Sequence, residues 1–298
     1  MRLSWRHLTR SHLGGMTIRT MLNEAMWERL VPLLPSQKPW TGRPSLDHRR
    51  FLEAVLWLAR TGAPWRDLPA ELMNWRSAWR RLQRWTAAGL WDRIVEALRA
   101  MAPDAGWEAH MLDSTVVRAH AHAAGARRRA GEQALGRSRG GFSTKLHLRC
   151  DGRGRPVTAH LTSGQRHDLI GVGPLFERGA LRTGKRGRPR WKPGAVIADK
   201  AYSAAWLLDA LRRKGIVPVI PSRSDQPENP DFDREIYRKH NLVERLVGKL
   251  KRFRRVATRY DKLDLHYLAF VQLASAMVWL RSLSDAACSV PPCRGGRG

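Results

Sequence analysis

The sequence predicts an all-α, helix-turn-helix-like N-terminal region followed by a mixed α/β domain, on three observations. Apolar residues recur at helical spacing from Glu24 to about Ala102. Past Pro103 the pattern changes to short runs rich in β-branched or alternating apolar residues. One such run, Ala195 to Ala198, is continuously apolar and leads into Asp199, as expected of a strand buried on both faces. With 298 residues and 43% hydrophobic content, the chain is long enough for about two domains with real cores.

In the helical region, Trp27, Leu30, Val31 and Leu34 share a helical period before Pro35 and Pro39 break the chain. Leu52, Val55, Leu56 and Leu58 mark a second apolar stretch, and TGAPW from Thr61 is a turn. Trp75, Trp79, Leu82 and Trp85 then line one face of a third helix, with Arg76, Arg80, Arg81 and Arg84 interleaved. The tryptophans read as core packing. The four arginines, in a chain already strongly basic, read as phosphate contacts.

In the second region, HMLDSTVV (His110 to Val117), STKLHLRC (Ser143 to Cys150) and RPVTAHLT (Arg155 to Thr162) are strands. DGRG at Asp151 makes the last two an antiparallel hairpin. A helix from Ala204 to Arg213, capped by Gly215, leads to a strand over Ile216 to Ile220, and two helices follow at about 241–255 and 264–282. The Gly- and Arg-rich segments Ala123 to Gly141 and Arg182 to Gly194 have no apolar period and read as loops, either solvated or gripping phosphates.

Charge narrows the partner. Lys and Arg number 54 against 26 Asp and Glu, a formal net charge of +28, a self-repulsion that a nearby polyanion relieves. Nucleic acid is expected, and a membrane is not. The best apolar run, Leu268 to Leu280, falls short of the ~20 residues needed to span a bilayer and contains Gln272. Cys150, Cys288 and Cys293 form no CxxC pair, which excludes a thiolate zinc site and points to a reducing compartment. The first twenty residues lack the apolar stretch of a secretory signal and read as a leader, with Met16 or Met21 available as a start.

Acidic residues are scarce here, so their placement is informative. Phosphodiester chemistry needs charge compensation and an activated hydroxyl, which two hard cations held by carboxylates can supply. Asp113 lies within the first strand of the mixed domain and Asp199 at the carboxyl end of a later one, where open sheets place their sites. On the helix NLVERLVGKLKRFRR, Leu242, Leu246, Leu250 and Phe253 are expected to form the buried side, leaving Glu244 facing outward. Tyr237, His240 and Lys251 fall on the stripe of Glu244. GQRHD, Gly164 to Asp168, borders this region with Asp168 as a weaker candidate carboxylate. His110, His120, His122, His147, His160 and His167 lack a paired-ligand spacing and read as phosphate donors or supporting groups in preference to zinc ligands.

LDSTVVRAH around Asp113, IADKAY around Asp199 and the array Tyr237, His240, Glu244, Lys251 followed by RFRRVATRYDK closely resemble the DDE transposases of bacterial insertion sequences. The likeness is to the insertion sequence family five group, with its signature Tyr-x2-Arg-x3-Glu-x6-Lys. It runs from about residue 22 to 283. His240 stands where that signature has Arg, and Gly248 lies inside the helix.

The resemblance implies an RNase H-like catalytic domain in which Asp113, Asp199 and Glu244 hold two Mg2+ ions, with Mn2+ as a substitute. It implies that Tyr237, His240 and Lys251 contact the transposon end. The expected partners are double-stranded DNA, as transposon ends and target, and a second copy in a homodimer, in the bacterial cytoplasm at the nucleoid. The expected boundaries are a disordered leader over 1–21, a helical DNA-binding domain over 22–104, a DDE catalytic domain over 105–283 and a disordered tail over 284–298. A protein that binds terminal repeats without cleaving, and a nuclease acting on RNA or structured DNA, are alternative readings.

Overall fold

The computed structural model describes residues 10–13, 16–37, 47–102, 106–125, 131–138, 140–180 and 189–288. Much of the two arginine-rich segments and all of 289–298 lie outside the described residues. Two short strands, β1 (Arg10–Leu13) and β2 (Met16–Arg19), pair antiparallel where the sequence predicted a disordered leader. Eight residues without a hydrophobic period gave no signal for them. The chain then enters the core directly. Met21 and Leu22 are buried, and the carboxylate of buried Glu53 accepts both their backbone N–H groups at 2.8 to 3.0 Å.

Four helices follow. In α1 (Glu24–Leu30), α2 (His48–Thr61) and α3 (Trp75–Ala87), Asn23, Asp47 and Asn74 cap the N-termini by accepting backbone N–H bonds, each satisfying donors that the first turn leaves free. Gly62 ends α2 in the left-handed conformation (φ 70°), which explains the glycine in the predicted TGAPW turn. The fourth helix, α4 (Leu90–Ala100), buries Leu90, Trp91, Ile94 and Leu98.

The mixed domain is built on β3 (Ala109–Ala119), β4 (Gly136–Ser138), β5 (Gly141–Cys150), β6 (Pro156–Ser163), α5 (Val172–Glu177), β7 (Ala195–Ile197), α6 (Ala205–Arg213) and β8 (Val217–Val219). It continues through α7 (Arg234–Tyr237), α8 (Asn241–Lys251), α9 (Arg254–Ala257), β9 (Thr258–Arg259) and α10 (Asp264–Cys288). β3, β5 and β6 form an antiparallel meander, and β7 and β8 add to the other edge of β3 in parallel, giving the order β6-β5-β3-β7-β8. This is the mixed, RNase H-like sheet that the resemblance implied. β4 falls inside the first arginine-rich segment, predicted as loop, and hairpins onto the start of β5.

Alternation along the strands sorts the sheet into two faces. Met111, Val117, Leu146, Leu148 and Ile197 pack with α8, α9 and α10, whereas Leu112, Val196 and Ala198 pack with α5 and α6 in a smaller core. The larger core continues without interruption into α1 to α4. The link is α10, which runs six residues past its predicted end at 282 and packs against α1, α2, α3, α4, α8 and β6. A helix apolar on nearly every side has to be surrounded. No helix among the described residues is long and apolar enough to cross a membrane.

Buried polar groups pin these layers. The Arg255 guanidinium pairs with Asp261 at 3.1 to 3.2 Å, donates to Ala63 O at 3.1 Å and lies over Phe270, tying the TGAPW turn to the segment before α10. Arg259, fully buried, donates to Ala134 O, Thr144 Oγ1, Asp261 O and Lys262 O. His110 and His147 belong to this structural class as well, which, of the two expected roles as phosphate donors or supporting groups, favours the second. His110 accepts from Arg149 Nε at 2.9 Å, and His147 Nε2 lies 2.8 Å from Thr162 Oγ1, both rings buried within the sheet.

Burial, and next the neighbouring His160, hold His147 at a pKa of about 4, below the ordinary 6.5. The folded state therefore binds fewer protons than the unfolded one between these values, so stability is full above about 6.5 and falls as pH drops toward 4, by roughly 3 kcal/mol from this group. Urea unfolding near pH 7 and near pH 5 should show about 2 kcal/mol of this loss for the wild type and a smaller one for His147→Gln. Equal losses would remove His147 as the cause.

Candidate active site

The site grows out of an interruption in the sheet. β7 pairs with β3 only as far as Met111, opposite Ile197, and β9 joins the same edge from Arg118 onward. Between them one edge of β3 has no ladder partner among the described residues, and Asp113 sits in that opening. Its side chain shares the face of Met111 and Val117, toward α8. Ser114 N–H donates to Asp113 Oδ1 at 2.7 Å, so one carboxylate oxygen is fixed.

Asp199 follows β7 by two residues and caps the short turn Lys200–Tyr202, accepting from Ala201 N at 2.9 Å. Glu244 lies in the first turn of α8. The core face of that helix is Val243, Leu246, Leu250 and Phe253, with Leu242 only half-buried, so the predicted face is out of phase by one residue at its start. Glu244 still points outward, its side chain 63% exposed and its Oε1 3.5 Å from His240 Nδ1. Gly248 is exposed, with open space where a Cβ would lie.

Asp113 lies within electrostatic reach of both other acids. The Asp113 carboxyl is pushed up to about 6, first by burial and further by Asp199 and Glu244, against the pull of Ser114 N–H and His240. The Tyr237 hydroxyl is likewise raised by burial and then by Asp199, Glu244 and Asp113. Negative charge gathered on a half-buried surface is what a hard divalent cation relieves, so the donor set fits one in kind and in charge. The set is open, however. Among the described residues no group of three or more His, Cys, Asp or Glu side chains is drawn close enough to hold a metal ion.

Around the acids, Lys251 Nζ donates to Thr115 Oγ1 at 2.6 Å, which sets its ammonium two residues along β3 from Asp113. Tyr237 is half-buried and stacks on His240, with ring centroids 5.5 Å apart and planes 13° from parallel. His240 is buried, its Nδ1 turned to Glu244 and its Nε2 without a partner among the described residues. A buried ring facing Glu244 is placed to orient that carboxylate.

The arginines of α3 divide in the same way. Arg76, Arg80 and Arg84, spaced by four, form an exposed stripe. Arg81 does not belong with them. At ~100° per residue it turns onto the face of Ala78, Leu82 and Trp85, and it is buried with its guanidinium 3.2 Å from His48 Nδ1 and over the Phe51 ring.

The comparisons with known proteins fall along these same regions. Residues 22–95 match a family model described as a putative transposase of the IS4/5 family, and residues 109–279 match one described as the transposase DDE domain. An uncharacterized protein, y4sN, from Sinorhizobium fredii is 44% identical over 110 residues, covering 37% of this chain and 86% of its own. A putative transposase for insertion sequence element IS6501 from Brucella ovis is 34% identical over 144 residues, covering 47% of this chain and all of its own. The crystal structure of a pre-cleavage Mos1 transpososome covers 84% of this chain and 82% of its own at 14% identity, with a TM-score of 0.25, too distant to bear on the argument. The DDE match alone spans more than half of the chain and contains the opening in β3, Asp199 and α8. The chain belongs to the DDE transposase family.

Proposed function

We propose that the protein binds the terminal inverted repeats of an insertion sequence and catalyses metal-dependent cleavage of DNA strands and their transfer to a target. The observation that supports this reading is the placement of Asp113 in the opening of β3, with Asp199 two residues past the end of β7 at that opening and Glu244 on α8, the helix packed on the Asp113 face. Those three carboxylates would hold two Mg2+ ions, or Mn2+ in their place. When bound, such ions supply activation of the attacking hydroxyl and charge compensation on the phosphate.

The protein's own groups divide the remaining work. Lys251, held by Thr115 beside Asp113, presents an ammonium with donors to spare for a phosphate of the transposon end. Tyr237 borders the same surface. His240 steadies Glu244 from beneath. Arg76, Arg80 and Arg84 take backbone phosphates at a distance from the chemistry, as positioning contacts without sequence information. A homodimer would bring two ends together, acting at the nucleoid in the bacterial cytoplasm.

Asp113→Asn, Asp199→Asn and Glu244→Gln should each abolish strand cleavage while leaving affinity for the element's ends within about twofold, because they serve metal and not DNA. Mn2+ should raise the melting temperature of the wild type and fail to do so for Asp113→Asn, and Ca2+ should support binding without turnover. Wild-type cleavage by purified Asp199→Asn under Mg2+ would overturn the assignment.

The exposed stripe has its own test. Replacing Arg76, Arg80 and Arg84 by Gln should flatten the slope of log K against log salt for DNA binding by about 2 to 3 units, at close to one unit per phosphate contact. Arg81→Gln should leave the slope alone and lower stability to urea. An unchanged slope in the triple variant would return the stripe to solvated surface.

A further inference from the structure

On the face of β3 opposite Asp113 lies a set of polar groups that the proposed chemistry does not use. Ser114 shares the parity of Leu112 and points away from α8, toward α5. Its hydroxyl donates to Asp168 Oδ1 at 2.5 Å, and Lys145 Nζ, from β5, donates to the same oxygen at 2.8 Å. The ion pair is mostly buried, with side-chain exposures of 13% for Lys145 and 23% for Asp168. Tyr202, on the turn capped by Asp199, is 1% exposed. Its ionisation is opposed by burial and then by Asp168, Asp113 and Asp199.

A buried Lys–Asp pair is weak support for stability, since desolvation offsets much of its attraction. What this one does is local. Among the described residues β3 has no ladder partner on its site edge at Ser114, so the sheet holds that stretch of backbone from the β5 side. The bond from Ser114 Oγ to Asp168 anchors it from below, and Lys145 fixes Asp168 in turn. The backbone N–H of the same Ser114 holds Asp113 Oδ1. Ser114 therefore joins two hydrogen bonds across the strand: one to the proposed metal ligand and one to a buried ion pair.

We infer that Asp168 and Lys145 are positioning residues for the transposase reaction, acting through Ser114 to set the orientation of the Asp113 carboxylate. This inference rests on the metal-ligand reading of Asp113. It predicts that losing either partner slows the chemical step without weakening the grip on DNA, because neither group reaches the substrate through the sheet.

The test uses the full chain with pre-bound transposon ends and measures single-turnover cleavage at saturating Mn2+, the Mn2+ concentration needed for half the rate, and end affinity. Asp168→Asn and Lys145→Met should each lower the saturated rate or raise the Mn2+ requirement by about 10- to 100-fold, the usual cost of removing a group that orients a ligand. End affinity should stay within about twofold. The double variant should be no worse than the poorer single one, as expected of groups that act as a unit. Lys145→Arg should recover most of the rate. Wild-type rates and Mn2+ dependence in folded Asp168→Asn, a loss confined to DNA affinity, additive losses in the double variant, or a Lys145→Arg variant as slow as Lys145→Met would each overturn the inference. If Asp168→Asn fails to fold, Ser114→Ala decides alone: it keeps the backbone N–H and removes only the anchor, and wild-type cleavage by it overturns the proposal. Asp113→Asn serves as the control. Cleavage by that variant would sink the metal-ligand reading itself, whereas an inactive Asp113→Asn beside a normal Asp168→Asn would sink only the positioning role.

Discussion

β3 is paired along one edge for eight residues with β5, yet on its other edge β7 leaves after Met111 and β9 does not arrive until Arg118. Backbone polar groups in such a gap must find other partners or meet solvent. The Asp113 carboxylate takes one of them, the N–H of Ser114. Asp199 enters because β7 ends at the gap, and Glu244 enters because α8 packs on the face that Asp113 occupies. The price is a carboxyl forced upward by burial and by two like charges, a destabilising arrangement in the free protein that a bound cation would reverse.

The helical region is fixed to this centre by a shared core. α10 packs against α1 to α4 on one side and against α8 and β6 on another, and Arg255 ties the end of α2 to Asp261. Phosphate contacts proposed for α3 would therefore be coupled through packed side chains to the sheet that carries Asp113, with no free linker between them in the described residues.

Much of this was legible in the sequence, for identifiable reasons. The strands of the meander announce themselves by alternation, β7 by an unbroken apolar run, and Asp113, Asp199 and Glu244 by motif and placement in a chain poor in acids. Other features needed the third dimension. Arg81 sits one residue from the exposed stripe and therefore turns about 100° away from it, a difference that adjacent arginines in a row do not reveal. Val243 displaces Leu242 from the core for the same reason. β1, β2 and β4 are too short to carry a period. α10 is visibly apolar, but nothing in a one-dimensional pattern says that its many faces join two regions. The meeting of Lys145 with Asp168 depends on a strand and a turn brought together across the sheet, which no local spacing encodes.

The central claim is that the opening in β3 is a divalent-cation site whose first ligand carries a raised pKa. Titration calorimetry of Mn2+ into the DNA-bound protein, in two buffers of different ionisation heat, counts the protons released on binding. With Asp113 at about 6, binding near pH 6 should release roughly half a proton from that group and binding near pH 8 almost none, while Asp113→Asn should bind weakly with no such difference. Mn2+ binding of equal strength and equal proton release in wild type and Asp113→Asn would contradict the account.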